Sequence, residues 1–172
     1  MKKIFLILTT VAVMFSTQTT TAQDNSMDIV DIAVSVDDFS TLVSALKAAD
    51  LVTALQGDGP FTVFAPVNAG FAKIDSNTLN SLLAPENKEK LSAILTYHVV
   101  AGKVDAAAVG AALEAGNGKA ELTTLNGETL TAVAKDGGLY LMDQSGNYSK
   151  IAKTDVMASN GVIHIIEDVV MP

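Results

Sequence analysis

The spacing of apolar residues changes period part-way along this chain, and that change restricts it to one class of fold. Early on, apolar residues recur at helical intervals: Phe39, Leu42, Val43 and Leu46, with Asp37 and Asp38 ahead of them as cap and acidic first turn. Ser76 is placed to cap a short helix carrying Leu79, Leu82 and Leu83. Pro85 stands where another helix starts, with Glu86 and Lys90 four apart and Leu91, Ile94 and Leu95 as its buried stripe. Asp105 opens an Ala-rich helix with Val109 and Leu113, which Gly116 stops. Only Phe61–Ala65, bounded by Gly59-Pro60 and Pro66, interrupts as a short buried strand. The later residues alternate instead. Leu122–Leu125 and Thr129–Val133 flank Asn126-Gly127, a strong hairpin signal, and Asp136-Gly137-Gly138 reverses the chain before Leu139–Met142. Asn160-Gly161 then precedes Val162–Ile166, apolar enough to be a central strand. Helices followed by an antiparallel meander predict an α+β domain.

The first residues predict export. Lys2 and Lys3 precede the apolar stretch Ile4–Phe15, and a Ser/Thr/Gln run leads to Thr20-Thr21-Ala22, with small residues where a signal peptidase reads. The stretch is shorter than the ~20 residues that span a bilayer, so a signal peptide over 1–22, cleaved after Ala22, is expected. Residues 23–27 are read as a flexible tail and 28–172 as a single domain with one sizeable core. No later span is apolar enough for membrane insertion, and the exported chain is placed in the periplasm or the medium.

Charge narrows the partners. Without Lys2 and Lys3 the basic count falls from 11 to 9 against 19 acids, a net charge of −10, and every basic residue is Lys. Nucleic-acid binding depends on neutralising phosphates, with Arg the usual reader of base edges, so an acidic, Arg-free domain is unsuited to nucleic acid or to anionic membranes. The absence of Cys leaves stability to packing and hydrogen bonds, and removes thiolate chemistry and Cys-based zinc sites.

Three phrases match one family in order and spacing. GPFTVFAPVNAGFAKI at 59–74 resembles the first signature of the fasciclin (FAS1) family, LTYHVVAGKV at 95–104 its central Tyr-His motif, and SNGVIHIIEDVVMP at 159–172 its second signature. Val67 and Gly70 stand where Thr and Ala are more usual. The resemblance covers essentially all of 28–172. It implies the FAS1 fold, a wedge-like antiparallel β-sandwich with a layer of several α-helices. The motif residues Phe61, Phe64, Pro66, Asn68, Phe71, Tyr97, His98, Asn160, Gly161 and His164 read as structural. Asn68 is expected to cap the turn of helix that follows it, and Asn160-Gly161 to supply the positive backbone angles of a tight turn. The resemblance further implies a non-enzymatic adhesion or matrix-interaction module that binds a cell-surface or matrix protein or a polysaccharide and that, with a single site, bridges surfaces only by self-association. Pigment-binding members offer a second reading, a carrier of a small apolar ligand. In animal relatives an Asp-aliphatic pair just before the second signature takes part in integrin recognition. Asp155, Val156 and Met157 stand there, with Lys153 and Thr154 departing from the Glu-Pro of that motif.

Catalytic and metal patterns are weak. His98 and His164 lie in apolar phrases without a third ligand, and read as buried, hydrogen-bonded rings, as does the Tyr97-His98 pair. Ser44-x-x-Lys47 and Lys153-Thr154-Asp155 echo penicillin-interacting serine enzymes, but Ser44 and Lys47 fall on the polar face of a helix and Asp replaces the required Gly. Asp143–Asn147 lacks the alternating acids and closing Glu of a calcium loop and reads as a hairpin turn. Asn147-Tyr-Ser149 is formally a glycosylation sequon. No cofactor or metal is expected.

Overall fold

The two near-continuous apolar phrases become neighbouring central strands. β1 (Phe61–Pro66) and β7 (Gly161–Ile166) run parallel in register from Phe61↔Gly161 to Pro66↔Ile166. Strands covered on both faces carry apolar residues on both, and here the faces serve two cores. Val63, Ala65 and Ile163 join a cluster under the helices, whereas Phe64 and Ile166 join a second cluster inside the folded sheet. The computed structural model describes residues 26–172; the predicted signal peptide and residues 23–25 of the predicted tail lie outside the described residues.

The sheet extends on either side of this pair. β2 (Val99–Ala101) adds antiparallel to β1, and β6 (Tyr148–Ala158) antiparallel to β7. Past β6 come β5 (Gly138–Met142), β4 (Thr129–Lys135) and β3 (Lys119–Thr123), an antiparallel meander, giving the order β2-β1-β7-β6-β5-β4-β3. Its two ends meet. Val100 bridges Thr124, and the Leu125 N–H donates to the Val99 carbonyl at 2.7 Å. The sheet is thereby folded over its own core of Phe64, Tyr97, Leu130, Leu141 and Ile166. Helix α7 (Ala106–Ala115) buries Val109 and Leu113 in the same core.

The helical layer covers the other face. α1 (Ile29–Ser35), α2 (Ser40–Ala48), α3 (Val52–Leu55), α4 (Asn68–Ala72), α5 (Ser76–Leu83) and α6 (Lys88–Tyr97) surround Phe39, Leu42, Leu46 and Leu95, while α7 (Ala106–Ala115) stands apart on the strand side. α1 starts in a capping box: Asp28 accepts the Asp31 N–H and Asp31 accepts that of Asp28. α7 begins at Asp105, which accepts the Ala108 N–H, and ends at Gly116, where a Cβ would lie 1.9 Å from the Lys119 carbonyl oxygen.

Several local expectations change. The cap of α5 is Asp75, accepting from Asn77 and Thr78, because its carboxylate reaches both exposed N–H groups; Ser76 is already inside the helix. Asp37 and Asp38 form a 3-10 turn and cap nothing with their side chains. The Asn126-Gly127 hairpin is a three-residue loop closed by the Thr124–Glu128 pair, with only Gly127 at positive φ, whereas Asp136-Gly137 is a two-residue turn with both residues at positive φ. Asn160 and Gly161 do not supply positive backbone angles. Gly161 is required for contact instead. A Cβ there would lie 2.0 Å from the Phe61 carbonyl oxygen and 2.9 Å from Ile29 Cδ1, so the parallel β1–β7 pair and α1 close over its bare Cα.

Candidate functional site

Asp155 sits at an irregularity in the longest strand. Pairing between β6 and β7 shifts between Lys153 and Val156, and at the shift Asp155 has φ +59°, the left-handed region that Asp tolerates better than most residues. Its carboxylate turns inward. Oδ1 accepts the Ala106 N–H at 2.8 Å, satisfying a donor in the first turn of α7 that Asp105 leaves free. Its own N–H reaches His164 Nδ1 at 3.4 Å. Val156 packs against the helical core opposite Ile163, and Met157 projects outward, 39% exposed. Of the three residues singled out for a partner, Asp155 thus shapes the bulge, Val156 anchors it and Met157 is presented.

Both histidines are buried and fully engaged. His98 Nδ1 lies 2.8 Å from the Ile94 carbonyl and so carries the proton, while Nε2 accepts the Val170 N–H at 3.2 Å. Burial lowers the pKa of this ring to about 4, against the smaller opposing effect of the Ile94 hydrogen bond. His164 has the other tautomer: Nε2–H donates to the Val104 carbonyl at 2.7 Å, Nδ1 faces Asp155, and the ring stacks on Phe64 with centroids 5.3 Å apart. No ring nitrogen is left for a metal or a substrate proton. Among the described residues no group of three or more His, Asp or Glu is placed to hold a metal ion. Tyr97 is buried, donates to the Thr129 carbonyl at 3.1 Å, and has its pKa raised chiefly by burial and then by the charge of Asp143. Ser44 is exposed and its hydroxyl bonds back to the Ser40 carbonyl, so nothing activates it as a nucleophile.

The asparagines work at a distance. Asn68 does not cap its own helix. Its Oδ1 accepts the Thr41 N–H at 3.0 Å and its Nδ2 donates to the Asp37 carbonyl and Ser40 Oγ, so it caps α2 from α4. Asn160 accepts the Ile29 N–H at 3.1 Å and donates to the carbonyls of Leu55 and Gly57, tying the β6–β7 turn to α1 and to the end of α3. Pro66 is buried, Phe61 half-buried, and Phe71 buried beneath α5. Each signature phrase therefore builds the junction between sheet and helices.

Residues 37–172 match the fasciclin domain. The chain belongs to the fasciclin domain family. This fasciclin domain is 50% identical over 88% of its length to protein sll1483 of Synechocystis, of which it covers 77%. It is 36% identical over 88% of its length to the transforming growth factor-beta-induced protein ig-h3 of Sus scrofa, covering 20% of that longer protein. Among solved structures it is similar to a pair of FAS1 domains from the insect cell adhesion molecule fasciclin I, with 20% identity, a TM-score of 0.49, and coverage of 74% of this chain and 40% of that one. No helix among the described residues of this fasciclin domain is long and apolar enough to cross a membrane.

Two polar residues of the domain carry buried structural work beyond what their sequence context announces. Thr62 is buried in β1, where its hydroxyl donates to the Gly102 carbonyl at 2.7 Å and accepts the Val104 N–H at 2.8 Å. Asp143, 4% exposed, accepts from the Asn147 backbone and side chain and from the Met171 N–H. A buried Thr in an apolar strand reads simply as part of the β-pattern, and an Asp before Gln-Ser-Gly reads as a turn residue, so neither role has a local signal.

Proposed function

We propose that this fasciclin domain acts outside the cytoplasm as a non-enzymatic adhesion or matrix-interaction module, binding a surface protein or a polysaccharide. The observation that carries this reading is the presentation of Met157. An exposed thioether stands on a strand bulge whose shape is fixed from inside by Asp155 and Val156. A flexible apolar side chain on a fixed backbone makes a good recognition point, because the strand needs no ordering on binding and the thioether accommodates varied partners. Membership of a family of adhesion modules and the predicted signal peptide support the same reading. The acidic, Arg-free surface argues for protein or glycan partners rather than nucleic acid. One such face holds one partner, so bridging two surfaces requires self-association.

The test uses fluorescently labelled protein applied to washed cells and to arrayed matrix proteins and glycans, beside Met157→Ser. Saturable binding that weakens about tenfold or more in the variant supports the bulge as the contact. Saturable binding that Met157→Ser leaves unchanged keeps the adhesion role and removes the site. Absence of saturable binding to every surface would sink the adhesion reading. Sedimentation across a concentration series decides whether the protein can bridge.

A further inference from the structure

Besides an open polar groove of about 380 Å³ between Asn77, Asn87 and Lys90, three depressions lie among the described residues, and their chemistry separates them. The widest, about 600 Å³, lies around the β6–β7 turn between Asp28, Asp58, Lys103 and Asn160, and is open and polar. Asn160 and Asp28 already spend their side chains on backbone contacts there. A second depression, under α5 between Phe71 and Leu82, has room for about 10 Å³, at most a single water. The third is different in kind. About 210 Å³ of space lies where α3 and the end of α6 meet the closing seam of the sheet.

The inner wall of this third pocket is made by Leu46, Leu55, Leu95 and Val99, all buried. Its rim is formed by Ala54 and by Leu125, which is 43% exposed in the β3–β4 loop. Thr96 brings the only side-chain hydroxyl of the lining, and that hydroxyl already donates to the Ser92 carbonyl at 2.7 Å. An ordered water needs two to four polar partners, and the side chains of this wall offer only the acceptor lone pairs of Thr96 Oγ1. Space that water fills poorly and that is lined by Leu and Val favours a hydrocarbon. A dry cavity of about 150 Å³ accepts benzene, so this one suits a neutral apolar molecule of roughly eight to ten non-hydrogen atoms.

We propose that the pocket between α3, α6 and Leu125 is a binding site for one small neutral hydrocarbon-like molecule, a single substituted ring or a compact bicycle. The site lies apart from the Asp155 bulge in the chain and stands whether or not the adhesion reading holds. Its size also excludes a whole pigment, since drug-sized and larger ligands occupy about 300–1,000 Å³. Leu125 serves as a lid: its N–H is fixed to Val99, while its side chain stands at the entrance.

Toluene and naphthalene are the probes, read by thermal unfolding and by methyl NMR on the whole protein. At about ten times Kd, either probe is expected to raise Tm by about 3–6 °C. The methyl signals of Leu46, Leu55, Leu95, Val99 and Leu125 should shift while those of Leu130 and Leu141 stay in place. Ala54→Phe fills the pocket from its rim and should abolish both responses. Should that variant fold poorly, Thr96→Val provides the second arm: exchanging the hydroxyl for a methyl should hold or tighten toluene binding. The proposal is overturned if neither probe moves those five residues, if Ala54→Phe responds like the parent, or if Thr96→Val binds more weakly. A long-chain fatty acid that binds more tightly than naphthalene overturns the size limit.

Discussion

Asn68 Oδ1 accepts the Thr41 backbone N–H across 27 residues of chain, so the amide of one helix closes the open end of another. The first turn of α2 has no side-chain cap of its own, and Asn68 stands in for one while its Nδ2 holds the Asp37 carbonyl and Ser40 Oγ. Replacing it by Ala leaves the Thr41 N–H without its acceptor, while the Asp37 carbonyl keeps the Ser40 N–H. Asn68→Ala should lower stability by about 1–3 kcal/mol, seen as a lower urea midpoint with an unchanged m-value. Asn68→Asp keeps an acceptor at a helix N-terminus and should lose less. An Ala variant as stable as the parent would show the contact to be idle.

Gly161 and Gly127 predict opposite kinds of cost. At Gly161 the backbone is ordinary, but an added Cβ meets the Phe61 carbonyl oxygen at 2.0 Å. At Gly127 nothing lies within 4 Å, but φ is +85°. Gly161→Ala should therefore cost about 3 kcal/mol or more by forcing β1 and β7 apart, and Gly127→Ala about 1–2 kcal/mol from backbone strain alone. Denaturant midpoints that rank the two the other way would contradict this account of the β1–β7 contact.

Much of this architecture is legible in the sequence because its signals are local. The helices at Phe39–Leu46 and Asp105–Gly116, the strand at Phe61–Ala65 and the meander turns follow from spacing, caps and Gly positions. Other elements fail for physical reasons. β6 carries Lys150, Lys153, Thr154 and Asp155, and its bulge breaks the alternation that announces a strand. α1 is short and rich in Val and Ile, and its capping box uses Asp31 where Glu or Gln is usual. The candidate site was legible only as a position. That Asp155 turns inward to α7 while Met157 stays outside depends on contacts 49 residues apart.

Asp155 combines a left-handed backbone with a cap on α7, and the two roles can be separated. Asn adopts positive φ readily and keeps an acceptor for the Ala106 N–H, losing only the charge at the helix N-terminus. Asp155→Asn should cost about 0.5 kcal/mol, whereas Asp155→Ala, which loses the cap and strains the backbone, should cost about 2–3 kcal/mol. If the carboxylate also touches a partner, Asp155→Asn weakens binding in a protein that is still folded. Equal losses of stability for Asn and Ala would show that the Ala106 contact contributes nothing.

His98 makes stability depend on pH in a defined direction. In the folded protein burial holds its pKa at about 4, while an unfolded histidine titrates near 6.5. Above pH 6.5 the ring is neutral in both states and adds no pH dependence. As pH falls from 6.5 toward 4, only the unfolded chain takes up the proton, so stability falls. The decline attributable to this ring ends below about pH 4, where the folded protein protonates too, and amounts to about 3 kcal/mol in all. Protonation also converts Nε2 from an acceptor to a donor, which sets it against the Val170 N–H and releases the C-terminal segment from α6. His98→Gln should begin less stable at pH 7, because an amide cannot meet both Ile94 and Val170 with the ring's geometry. Its stability should then change less between pH 6.5 and 4 than that of the parent. Urea unfolding at pH 7, 5.5 and 4 for both proteins measures the two slopes, and equal slopes would mean that the acid sensitivity of the fold comes from its carboxylates instead.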